Sequence, residues 1–227
     1  MEIRPIADFK SPFGTKFGIP RQSGIVPELE GTIVFRPEYR NEEALRGIDG
    51  FDYLWLIWEF SGNKESRESW SPTVRPPRLG GNTRIGVFAS RSPFRPNRLG
   101  LSAVRILGVE HDTADGTVIH VSGADLMDGT PIYDIKPYIT YADSRPEARS
   151  GFVDTIAWTP LKVVIPEKFG KMLTGAERDM LAGVLAQDPR PQYHDDPDKT
   201  YGMEFGGMDI HFRVHDGTAE VTDIMKK

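Results

Sequence analysis

Short apolar runs, rich in Val, Ile, Phe and Trp and punctuated by Gly, Pro, Asn and Asp, recur along residues 1 to about 150. Such runs predict strands, at Ile3–Phe9, Leu29–Phe35, Tyr53–Phe60, Arg84–Ala89, Ser102–Val109, Thr117–Ser122 and Ile132–Ile135. Helical spacing is nearly absent there, apart from Glu42–Arg46 behind Asn41. Short strands without crossover helices favour an antiparallel barrel or sandwich over a doubly wound parallel sheet.

The pattern changes across Ser144–Thr159, which suggests a boundary between a unit at 1–150 and a smaller one at 151–227. Beyond it, Thr174 and Glu177 have the Thr-x-x-Glu spacing of a capping box. Met180, Leu181, Val184 and Leu185 then recur at helical spacing, and Pro189 ends the helix. Met208–Val214 and Ala219–Ile224 read as a hairpin around Asp216-Gly217, a favoured two-residue turn. The C-terminal unit is therefore expected to be α+β.

Charge sharpens the picture. The 227-residue chain has a net charge of −5, yet Arg67 to Arg105 carries eight arginines, no lysine and one acid, Glu68. A polarised segment of this kind, interleaved with Pro, Gly and Phe, suits phosphate or carboxylate, and the guanidinium plane stacks on bases. A solvated basic face is the plainer alternative. There are no cysteines, which excludes disulfides and thiolate chemistry and fits a cytoplasmic setting. No apolar run approaches the ~18 residues of a membrane span, and the start, MEIRPIADF, does not read as a secretory signal. Glycine fingerprints for nucleotides, H-E-x-x-H and G-x-S-x-G are missing. His211 and His215 flank a predicted strand end and suit surface or packing roles, so no metal is expected.

Four stretches concentrate reactive groups. In Lys16-Phe17-Gly18-Ile19-Pro20-Arg21-Gln22 a stiff proline presents Arg21, able to grip a carboxylate at two points, and Gln22, both donor and acceptor. An ordinary connecting loop is the alternative. In TVRPPRLGGN, 73–82, the diproline favours an extended form whose threefold repeat points Arg75 and Arg78 the same way. They would then face phosphates, or simply solvent. In GVFASRSPFRPNRLGLS, 86–102, Arg91, Arg95 and Arg98 stand between two apolar runs, stiffened by Pro93 and Pro96. In DLMDGTPIYDIKPY, 125–138, Asp128-Gly129 marks a tight turn. Asp134, Lys136 and Tyr138 fall on one strand face, as a surface ion pair or as a proton-transfer and orienting set.

Taken together, these stretches, with AQDPRPQY at 186–193 and KTYG at 199–202, resemble the S-adenosylmethionine-dependent tRNA methyltransferases that act on N6 of threonylcarbamoyl-adenosine at position 37, beside the anticodon. The resemblance implies a mainly β chain, with an N-terminal antiparallel β-barrel at 1–150 as the methyl-donor site and a small C-terminal α+β domain at 151–227. It also implies a homodimer with the donor pocket near its interface. Donor contacts would fall on Pro20, Arg21, Gln22, Ser61, Gly62, Arg91, Leu101 and the turn Asp125, Leu126, Met127, Asp128. The family's F-S-H-L-W and F-H segments have Tyr53 and Ser61 here in place of histidine. Asp134 is the expected base at N6, with Lys136 and Tyr138 positioning the carbamoyl group or its threonyl carboxylate. Arg75, Arg78, Arg95, Asn97 and Arg98 would face the tRNA, the arginines on anticodon-loop phosphates or the threonyl carboxylate, and the last three are turned outward by the prolines. A non-catalytic RNA-binding barrel and a methyltransferase for another acceptor are the alternatives.

Overall fold

The computed structural model describes residues 2–62, 70–76, 79, 82–191 and 196–227. Its strands are β1 (Ala7–Lys10), β2 (Glu30–Phe35), β3 (Tyr53–Glu59), β4 (Thr73–Val74), β5 (Ile85–Gly86), β6 (Leu99–Thr113), β7 (Gly116–Ser122), β8 (Thr130–Pro137), β9 (Lys162–Val164), β10 (Tyr201–Phe205), β11 (Met208–His215) and β12 (Thr218–Lys226). Six of them close an antiparallel barrel in the order β1-β2-β7-β6-β3-β8. The choice between barrel and sandwich is thus a closed barrel. Its strands alternate: along β3, Leu54, Leu56 and Trp58 point in, while Tyr53, Trp55, Ile57 and Glu59 point out. The interior is filled by Phe9, Ile33, Leu54, Leu56, Trp58, Val104, Ile119, Val121, Leu126 and Ile132. A Cβ on Gly100 would run into the Trp58 indole, so glycine lets that ring lie flat on β6.

β6 is long because it serves two neighbours: Leu99–Arg105 pairs with β3 and Arg105–Thr113 with β7, with irregularities near Gly108 and Asp112. Closure needs such bends. Three sequence-based expectations change. The first strand begins at Ala7 rather than Ile3. Glu42–Leu45 is a 3-10 turn, capped where Asn41 Oδ1 accepts from the Glu43 N–H at 3.0 Å. Arg84–Ala89 is not a barrel strand: among the described residues Ile85–Gly86 pairs with β4 alone, and Val87–Ala89 curls into a 3-10 turn that buries Val87.

The C-terminal sheet runs β10-β11-β12-β9, with β9 parallel to β12. After the short helices α1 (Thr140–Asp143) and α2 (Glu167–Gly170), the capping box forms at α3 (Gly175–Ala186), where the Thr174 hydroxyl accepts from the Glu177 N–H and Glu177 accepts from the Thr174 N–H. The hairpin turn forms as expected, with positive φ at both Asp216 and Gly217. α3 buries Leu181, Val184 and Leu185 against Phe205, Ile210, Phe212 and Val221. This second core also takes in residues from between β1 and β2: Phe13, Val26 and Leu29 are buried in it, and Phe17 and Ile19 pack against it. The Gly206 N–H donates to Pro12 O at 2.8 Å, and the Phe13 and Phe205 rings meet edge-on at 5.5 Å. Segment 11–29 is therefore held between barrel and C-terminal sheet.

Candidate active site

That segment delivers its polar tip to one rim of the barrel. The Gly24 N–H donates to Gly123 O at 2.7 Å and the Gly123 N–H to Leu29 O at 2.8 Å, which ties the loop to the start of the 123–129 turn. Ser11 N–H donates to Asp128 Oδ1 at 3.0 Å, and Asp128 N–H to Phe13 O at 2.8 Å. Arg91 Nη1 donates to Gln22 Oε1 at 2.5 Å. A Cβ on Gly62 would lie 3.0 Å from the Lys16 side chain and 3.5 Å from the Met127 methyl. Pro20-Arg21-Gln22, Ser61-Gly62, Arg91 and Asp125–Asp128, scattered in sequence, thus meet at one place. Leu126 is the exception in side-chain terms, since its chain is in the barrel core.

Beneath the rim, Asp125 is half-buried, and Ser102 Oγ donates to its Oδ1 at 2.5 Å while accepting from Trp58 Nε1 at 2.9 Å. Burial pushes the Asp125 carboxyl above its ordinary value. The Ser102 hydroxyl, the Asp125 and Ser23 backbone N–H groups and the Arg91 charge pull it the other way.

The second group of predicted residues lies on the outer face of the barrel. Across the ladders, Ile57 pairs with Asp134 on one side and Leu101 on the other; Trp55 pairs with Lys136 and Ala103. Lys136 Nζ is 3.0 Å from Asp134 Oδ2, and Asp134 Oδ1 accepts from the Ile135 N–H. Tyr138 adds its ring 5.5 Å from Trp55 and 6.1 Å from Tyr53. Asp134, Lys136, Tyr138 and Leu101 therefore share one face, reached from the rim along Glu59 and Ser61. Trp55 is a member that chemistry-directed reading passes over, and Tyr53 enters it only as a departure from the family pattern; their outward places in the β3 alternation are the signal for them.

The arginines divide. Arg75 and Arg91 are exposed, as is Asn97, while Arg78 lies outside the described residues. Arg95 turns back on its own loop, with Nη1 donating to Ser90 O at 2.6 Å and Val87 O at 3.3 Å. Arg98 does not face outward. Its φ of 47° turns the chain, and its side chain, 17% exposed, folds in to Glu59 at 3.3 Å. Glu59 also accepts from Tyr133 Oη at 2.8 Å. Arg98 Nη1 is buried with no hydrogen-bond partner among the described residues. Of the two histidines, His211 is half-buried at 3.2 Å from Asp209 and His215 exposed at 3.4 Å from Glu220. Among the described residues no cluster of three or more His, Asp or Glu side chains could hold a metal, and no helix is long and apolar enough to cross a membrane.

Known proteins resemble the chain over its whole length. The family model for the tRNA-methyltransferase O (TrmO) N-terminal domain matches residues 8–144, and that for the TrmO C-terminal domain residues 159–227. A tRNA (adenine(37)-N6)-methyltransferase of Escherichia coli (strain K12) is 37% identical over 228 residues, 97% of this chain and 96% of the relative. A putative S-adenosylmethionine-dependent methyltransferase, RcsF, of Pseudomonas aeruginosa is 37% identical over 92% of this chain and 91% of its own. The crystal structure of TrmO from Pseudomonas aeruginosa superposes with a TM-score of 0.79 at 31% identity, covering 99% of this chain and 98% of that one. Barrel, C-terminal sheet and rim thus come together in a chain that belongs to the tRNA-methyltransferase O family.

Proposed function

We propose that this protein transfers the methyl group of S-adenosylmethionine to N6 of threonylcarbamoyl-adenosine at position 37 of tRNA. The observation that carries the reading is the rim, where Pro20-Arg21-Gln22, Ser61-Gly62, Arg91 and the 125–128 turn converge beside the face of Leu101 and Asp134. The donor fits this rim. It brings a carboxylate, an ammonium, a sulfonium and an adenine. Arg91 and Arg21 suit the carboxylate, and Asp125 suits a cationic group.

The donor supplies an electrophilic methyl on a sulfonium. As N6 bonds to that carbon and the S–C bond breaks, the sulfur keeps the electron pair and N6 must lose a proton. The carbamoyl group delocalises the N6 lone pair, so a nearby base matters. Asp134 takes that role here, and a base of this kind contributes about 10²–10⁴-fold. In the free protein it is paired with Lys136. The threonyl carboxylate of the acceptor competes for that ammonium, which leaves an Asp134 oxygen for the proton. Tyr138, braced by Tyr53 and Trp55, positions the carbamoyl group. Alignment of the two substrates contributes up to roughly 7–11 kcal/mol.

Arg75 and Arg84 engage the anticodon loop, and two copies pair through the outer barrel face next to the acceptor residues, so that the site lies at their seam. Tyr53, Leu101 and Leu107 are 43%, 57% and 47% exposed there. The cytoplasm, where tRNA is modified, is the matching compartment. Incubation with S-adenosylmethionine and tRNA lacking the methylated nucleoside, followed by mass spectrometry of nucleosides, tests the reading. A single methyl gained on threonylcarbamoyl-adenosine is expected. Methylation elsewhere points to another acceptor, and absence of donor binding to a non-catalytic RNA-binding barrel.

A further inference from the structure

Three aromatic rings around the β4–β5 arm sit in solvent: Trp70, Phe88 and Phe94 are 51%, 70% and 49% exposed. Two of them are held in place. Trp70 and Phe88 have centroids 6.1 Å apart with planes 31° apart, and the Arg95 guanidinium lies 5.8 Å from the Phe88 centroid. Arg95 is fixed by the carbonyls of Val87 and Ser90, the Ser90 hydroxyl donates to Val87 O, and Val87 is buried beneath. Burying a Phe side chain is worth about 1.5–3 kcal/mol, so a turn that pins one outward implies a partner that covers it.

The surroundings say which partner. Residues 70–98 contain six arginines and no acid. A partner must therefore offer flat apolar faces on a negatively charged chain, which describes unpaired nucleotides. A second copy of this chain would bring an identical positive arm against this one, and like charges oppose that pairing. We propose that Trp70, Phe88 and Phe94 form a stacking surface for unpaired bases that flank the acceptor nucleotide in the tRNA loop. The proposal rests on the tRNA reading above and specifies how the loop is held: Arg95 props the platform, while Arg75 and Arg84 meet phosphates.

The test uses the full chain and a single-stranded oligoribonucleotide of anticodon-loop length, with binding measured across a salt series. Stacking is worth about 1–3 kcal/mol per base, so Phe88→Ala should weaken binding by about 5- to 150-fold with the slope of log K against log salt unchanged. Arg75→Ala and Arg84→Ala should each flatten that slope. Binding should quench tryptophan fluorescence, and Trp70→Phe should keep affinity but lose the quench. All three aromatic positions are exposed, so thermal melts should match the wild type. Unchanged affinity in Phe88→Ala overturns the proposal, as does a change confined to self-association, which would assign the rings to a second copy. Wild-type methylation with unaffected Phe88→Ala binding removes the platform and keeps the methyltransferase. Stacking without methylation does the reverse.

Discussion

Ser102 and Asp125 are joined by a 2.5 Å hydrogen bond beneath the candidate donor site, with the Trp58 indole as the third link. Burial raises the Asp125 carboxyl above its ordinary value of 3.8. The folded state therefore holds that proton more tightly than the unfolded chain does. The stabilisation is complete below 3.8 and is lost as pH rises through the raised folded value. Asp115, Asp143 and Glu177 are shifted downward and give the opposite slope, so the wild type must be compared with Asp125→Asn. Urea unfolding across acidic to neutral pH should show the wild type losing stability relative to the variant through that window. Parallel profiles would refute the assignment.

Glu59→Gln should be costly. Arg98 and Glu59 are only 17% and 18% exposed, and removing one member of a buried pair leaves the other charge uncompensated, at about 3 kcal/mol or more. The double variant Glu59→Gln, Arg98→Met should recover much of the loss in chemical denaturation. No recovery would mean that Tyr133, not the ion pair, is what Glu59 supports.

Arg91→Ala should raise the dissociation constant for S-adenosylmethionine and leave tRNA affinity nearly intact, because Arg91 is engaged with Gln22 on the rim. Calorimetry with each ligand separates the two. Weakening confined to tRNA would move Arg91 to the RNA surface.

Asp134→Asn should lower single-turnover methylation by about 10²–10⁴-fold while donor and tRNA affinities hold. Lys136→Met should instead raise KM for the threonylcarbamoyl-bearing tRNA more than it lowers kcat. Near-normal turnover in Asp134→Asn would end its candidacy as the base.

Gly18→Ala should couple the C-terminal sheet to donor binding. Gly18 has a φ of 94°, and a Cβ there would strike the Met203 thioether. Strain of this sort costs about 1–3 kcal/mol, and it displaces the loop that carries Arg21 and Gln22. Both lower stability and weaker donor binding are expected, with Met203→Ala relieving only the clash. Unchanged donor affinity would show that the loop tip is set by the barrel alone.

What the sequence makes legible is what local chemistry decides. The alternation of β3, the Thr174–Glu177 box and the Asp216-Gly217 turn each depend on neighbours within a few residues, and each forms. The orientation of Arg98 does not. Pro93 and Pro96 suggest a stiff outward display, but a positive φ at Arg98 and a glutamate on another strand turn it inward. β9 and β10 are likewise hard to see: three residues of edge strand beside β12, and a stretch broken by Gly202 and Glu204, carry little pattern of their own. The rim is half legible. Its residue types stand out in the chain, whereas their meeting depends on barrel closure and on a second core that borrows Phe13, Val26 and Leu29.

That borrowing sets an order of events during synthesis. Every barrel strand is complete in the sequence by Pro137, so the barrel can close before the C-terminal sheet is made. The apolar side of segment 11–29 cannot be covered until α3 and β10–β12 emerge. A half-made chain therefore holds a finished barrel and an unfinished mouth, with Phe13 and Leu29 exposed to chaperones. The loop that carries Arg21 and Gln22 thus gains its full support only when the C-terminal sheet is in place.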